Sequence, residues 1–96
     1  MKQWNMKVSI GDYQFTVVNV ICLLRSKNLG VYTLQGMDGE FANFARESLL
    51  ERSYFNLEIN VDNKIILLGT DCFFNNIDVF NGTAKLNVNW VETSLI

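Results

Sequence analysis

Glu47 and Glu51 stand four residues apart, the spacing at which two carboxylates on one helix face can share a proton or a cation. A solvated helix face explains the same pair without any chemistry. Asp38-Gly39-Glu40 fits a turn and a helix start, with Asp38 as cap and Glu40 near the positive end of the helix dipole. Asp62-Asn63-Lys64 lacks the ligand spacing and closing Glu of a calcium loop.

Other routes to catalysis are narrower still. The chain has no histidine, which removes Ser-His and Cys-His nucleophiles, His-dependent zinc sites and the usual neutral-pH general base. Its two cysteines, Cys22 and Cys72, are too few for a four-thiolate zinc site and too far apart in sequence for a Cys-x-x-Cys redox pair. Both sit in apolar surroundings and read as buried free thiols. Gly36 and Gly39 come without the further glycines and Lys that cradle phosphate. The expectation is a chain with no catalytic residues, no cofactor and no metal.

Charge excludes a further class. With eight Lys and Arg scattered along the chain and a net charge of −2, no basic groove for nucleic acid is indicated. The start of the chain shows no apolar run of signal-peptide length, because Gly11 and Asp12 interrupt after Ile10. No apolar run approaches the roughly 20 residues that span a bilayer. These features point to a soluble protein of the cytoplasm or of a virion.

The elements that would position these groups follow from periodicity. Residues 6–10 and 13–17 alternate with period two around Gly11-Asp12, setting Ile10 against Tyr13, Val8 against Phe15 and Met6 against Val17. Residues 18–24 are apolar at nearly every position, which reads as a bulge or a strand covered on both faces. A polar loop at 26–30 and a short strand at 31–35 follow. Phe41, Phe44, Ala45, Ser48 and Leu49 form the one helical stripe, with Arg52 expected in its last turn.

Residues 53–62 alternate cleanly, a three-residue turn is expected at 62–64, and 65–68 read as a central strand. Asn81-Gly82-Thr83 is both a glycosylation sequon and the strongest two-residue hairpin signal; without a secretory signal the turn is preferred. Pairing outward from that turn sets Val79 against Ala84, Ile77 against Leu86 and Phe73 against Trp90, with Asp78 facing Lys85.

The fold expected is a single domain, α+β and mainly β. Antiparallel hairpins with about six or seven strands form a curled sheet or small barrel, with one amphipathic helix packed against it. An open two-layer sheet covered by the helix is the alternative. In the expected register Phe74 and Phe80 point outward with Asn76, Asn87 and Asn89, a neutral, partly aromatic face suited to protein contact.

The function expected is therefore a non-enzymatic interaction or assembly protein, a self-associating homo-oligomer or a phage or viral particle component among the forms considered. Two alternatives stand beside it. One is a small phage-type inhibitor that blocks a host defence enzyme through Glu47, Glu51 and Asp62. The other is a small ligand-binding β-barrel.

Overall fold

A computed structural model describes residues 6–96; the first five residues, where the absence of a signal segment is read, lie outside the described part. Among the described residues seven strands and one helix follow in the order β1 (Met6–Ile10), β2 (Tyr13–Val17), β3 (Asn19–Ser26), β4 (Leu29–Gln35), α1 (Gly39–Glu51), β5 (Phe55–Val61), β6 (Lys64–Asp78) and β7 (Thr83–Ser94). All strands join one antiparallel sheet in the order β2-β1-β5-β6-β7-β4-β3. The sheet is curled but not closed, so the fold is α+β and mainly β without a barrel interior.

One short link explains the curl. β2 and β3 occupy opposite edges of the sheet, yet only Val18 separates Val17 from Asn19. Two peptide steps span at most about 8 Å, so the two edges must meet at this point. The Val18 N–H donates to the Gln35 carbonyl at 2.8 Å, fixing the link to the end of β4. Gly36 follows with φ of +78°, and a side chain there would run into Val18, so the crossing needs a glycine.

The concave face carries the core, with Val8, Ile10, Phe15, Tyr32, Leu34, Leu57, Ile59, Leu67, Leu86 and Val88 all buried. α1 crosses this face on its way from β4 to β5 and packs mainly on β6. Phe41 is fully buried; its ring stacks on Phe15 at 4.3 Å and meets Phe74 edge-on at 6.4 Å. Removing such a ring costs about 3 to 5 kcal/mol. The helix starts as its sequence indicates, with the Asp38 Oδ1 accepting from the Phe41 N–H at 2.8 Å and Glu40 in the first turn. Arg52 is not in the last turn as expected. It forms the left-handed C-cap, φ 54°, and its N–H donates to Leu49 O, closing the helix through its backbone.

The first hairpin has the expected register, including Ile10 against Tyr13, Val8 against Phe15 and Met6 against Val17. Three other expectations need correction. The turn after β5 has two residues, because Val61 pairs with Lys64 and both Asp62 and Asn63 have positive φ, the signature of a type I′ turn. Of the two readings of residues 18–24 the bulge is present, between Cys22 and Leu24, and the double covering is not, because β3 forms an edge of the sheet.

The β6–β7 hairpin differs most. Asp78 pairs with Thr83, so the loop is 79–82, and Asn76 rather than Asp78 lies opposite Lys85. The Asp78 carboxylate explains the longer loop, since it accepts from the Asn81 backbone N–H at 3.1 Å and from its Nδ2 at 2.7 Å. A further irregularity between Phe74 and Asn76 moves Phe74 onto the core face opposite Leu86.

Gly82 keeps the importance its position implies, for a different reason. It has φ of +63°, its carbonyl accepts from the Met37 N–H at 2.9 Å, and a Cβ there would lie 2.8 Å from the Met37 oxygen. Gly82→Val is expected to lower stability by about 2 kcal/mol or more, read from the urea midpoint. Gly39→Ala, which meets open space at the helix start, should leave that midpoint unchanged or raise it; equal midpoints for Gly82→Val and the parent would refute the loop geometry.

Candidate functional site

The outward aromatic face expected around the last hairpin is divided by the observed register. Phe74 is only 3% exposed and packs against Phe41 and Phe55. Phe80 is fully exposed at the tip of the 79–82 loop. Asn76 and Asn89 are exposed and Asn87 is half-buried, accepting through its Oδ1 from the Asn75 Nδ2. Asn89 lies six strand steps beyond Thr83, about 20 Å along β7, so it does not form one patch with Phe80.

Glu47 and Glu51 are exposed on α1 and line a groove of about 470 Å³ between the helix, the β1–β2 turn and the start of β5. Tyr13, Phe44 and Tyr54 supply its aromatic walls, and the Tyr13 and Phe44 rings lie 5.0 Å apart. Asp12 is the third carboxylate of the lining. Among the described residues no three acidic, Cys or His groups come close enough to hold a metal ion. What the groove offers is an acidic rim over aromatic walls, which favours a cationic side chain. Asp62 takes no part, because it sits at the opposite end of β5, about 20 Å from Asn56.

A third surface is the free edge of β3. Only Val20 of this strand is buried; Leu23 and Leu24 are 51% and 58% exposed, Ile21 is exposed, and Leu29 across the turn is 54% exposed. By register Leu24 lies opposite Val31 and Ile21 opposite Thr33, both on the side away from the core residues Tyr32 and Leu34. The Arg25 side chain folds back to the Lys27 carbonyl, leaving 17–24 as a stretch without charge.

This edge escapes a reading by periodicity alone, which treats an apolar run as doubly covered. The helix count bears on it only once the strand order is known. One helix covers one face of a sheet, so a strand apolar on both faces at the sheet margin must expose one of them.

The two thiols differ sharply. Cys72 is buried and its pKa is pushed up to about 12, first by burial and then by the neighbouring Asp71 carboxylate. Cys22 is half-buried on β3, and both are free. A thiol-reactive label near neutral pH should modify Cys22 in the native protein and Cys72 only after unfolding, as resolved by peptide mass; native labelling of Cys72 would contradict its burial.

Asp78 responds to pH in the opposite sense. Its carboxyl is held below the ordinary value of 3.8, chiefly by the hydrogen bonds from Asn81. A depressed folded-state pKa gives a stabilisation that is present above the unfolded value and lost as pH falls through the folded one. Melting temperature against pH should therefore show a smaller acid-side drop in Asp78→Asn than in the parent, confined to the region below about pH 4; superimposable profiles would dismiss the Asp78 contribution.

Comparison with known proteins finds no matching family model, no matching curated protein and no matching solved structure.

Proposed function

We infer that this chain is a non-enzymatic interaction protein that works by assembling with other polypeptide. The observation that supports this reading best is the uncharged, apolar edge of β3, left exposed by a chain that has otherwise enclosed a full core. A long apolar edge strand is a template for pairing with another chain, and soluble proteins ordinarily blunt such edges with charge, proline or a covering element. In β3 the charge comes only at Arg25, and the bulge at Leu23 is the one device present along the apolar part. Among the described residues no helix is long and apolar enough to cross a membrane.

The acidic groove supports a second reading, in which the chain blocks another protein by seating one of its Lys or Arg side chains. Asp12, Glu47 and Glu51 border that groove, and among the described residues no Lys or Arg lines it. In that case Glu47→Lys with Glu51→Lys would abolish binding of a Lys/Arg-rich peptide, and binding by the parent would weaken with salt.

Sedimentation velocity over a wide concentration range tests the main reading. The expected result is a weight-average mass that rises above one chain as concentration increases. A mass of one chain throughout, with no heterologous protein bound, would end the assembly reading.

A further inference from the structure

We propose that Asn81 is a site of spontaneous deamidation, held in check by the Asp78 carboxylate, and that its conversion releases the 79–82 loop from the start of α1. The reaction needs no partner chain.

The fold itself puts the reactive pair in place. Asn81 is the only asparagine of the chain followed by glycine; every other one precedes a residue with a side chain. Position 82 has to be glycine, because its φ is +63° and a Cβ there would lie 2.8 Å from the Met37 oxygen. The same missing side chain leaves the Gly82 nitrogen unshielded toward the side chain of Asn81. Asn81 is exposed, so water reaches its amide.

Water is the only reactant required. The Gly82 nitrogen gives up its proton to hydroxide and bonds to Asn81 Cγ; the Cγ–Nδ2 bond breaks, and Nδ2 takes up a proton from water and leaves as ammonia. The product is a succinimide. Water then adds to one of its two carbonyls and opens the ring. Cleavage of the new Cγ–N bond gives an aspartate at position 81, and cleavage at the other carbonyl gives an isoaspartyl link in which the chain runs through Cβ and Cγ. Nothing is oxidised or reduced.

The native hydrogen bonds oppose the first step. Attack needs Cγ and the Gly82 nitrogen about 3 to 3.5 Å apart and aligned, which requires the Asn81 side chain and the backbone beside it to turn together. The side chain is held by Nδ2 donating to Asp78 Oδ2 at 2.7 Å, and the backbone by the Asn81 N–H donating to Oδ1 at 3.1 Å. Gly82 is held from the other side, since its carbonyl accepts from the Met37 N–H at 2.9 Å. Bonds to an ionised acceptor are the stronger kind, so Asp78 provides the larger part of the hold.

Conversion removes what keeps the loop closed. A carboxylate at position 81 has no side-chain N–H to donate, and it meets Asp78 as a like charge where the 2.7 Å bond had been. The isoaspartyl product adds a chain atom directly before Gly82, inside a loop bounded by the paired Asp78 and Thr83. Either product draws the Gly82 carbonyl away from Met37. Met37 precedes the helix cap Asp38, so the release reaches the start of α1.

The test keeps the full chain in warm, mildly alkaline buffer and follows position 81 by peptide mass, with chromatography to separate the aspartyl and isoaspartyl forms. Protection is the rate in the urea-unfolded chain divided by the rate in the folded one. In the folded parent Asn81 should be protected about tenfold or more, and most of that protection should be gone in folded Asp78→Ala. Asp78→Asn keeps one acceptor oxygen and should fall between the two. Labelling of the buried Cys72 gauges global opening. Asn81 should be less protected than Cys72 in the parent and in both variants, because only the loop has to open for it to react. Asn81→Asp installs one product directly and should lower the urea midpoint. Equal rates in the folded and unfolded parent, unchanged protection in both Asp78 variants, or protection at Asn81 equal to that at Cys72 would each overturn the hold by Asp78. An unchanged midpoint in Asn81→Asp would overturn the release of the loop.

Discussion

The ring of Phe41 is the contact through which helix and sheet hold each other in shape. It lies flat on Phe15 of the edge strand β2 and edge-on to Phe74 of the central strand β6, so one side chain ties a margin of the sheet to its middle. The Val18 link brings the two edges together at one point, and the ring holds the strands over the core away from that point. With Phe44 against Phe15 and Tyr13, the helix grips the first hairpin from the concave side. Asp38 and Arg52 set the helix ends, so the ring arrives at a defined height above the strands.

That arrangement consumes the only helix among the described residues. Most apolar side chains on the concave side are enclosed, with Tyr13 at the groove left exposed, and what the convex side and the margins carry is left to water or to a partner. The surfaces described for function are consequences of this economy. The β3 edge is apolar because the stretch feeding it contributes Val20 to the core and still has Ile21, Leu23 and Leu24 to place. The acidic groove opens where the last turns of the helix face the β1–β2 turn and the start of β5. Phe80 stands out for another reason: the hydrogen bonds of Asp78 to Asn81 lengthen the loop and carry the ring away from both faces.

Legibility in the sequence followed the range of the physical signal. The first hairpin, the helix stripe and the Asp38 cap depend on residues close in sequence, and their patterns agree with the structure. The last hairpin shows how a correct local signal can mislead. Asn81-Gly82 does turn and Gly82 does need positive φ, but Asp78 captures Asn81 and shifts the pairing, which carries Phe74 from the outer face to the core. Of the candidate interaction residues, Phe74 was lost to this shift, while Phe80, Asn76, Asn89, Glu47 and Glu51 are exposed and Asn87 is half-buried. Strand order was not legible, because β1 beside β5 and β4 beside β7 are pairings between segments remote in the chain. Without that order nothing marks β3 as an edge.

The single residue between β2 and β3 also bears on how the chain comes together. β5, β6 and β7 form a meander of sequence neighbours, while the β1–β2 and β3–β4 hairpins must settle on its two opposite sides. Because Val18 alone joins those hairpins, seating one holds the other within a few ångströms of its own place and leaves little loop entropy to lose. Their docking becomes nearly one event rather than two independent ones. The same tether that bends the finished sheet thus makes its two margins form, and come apart, together.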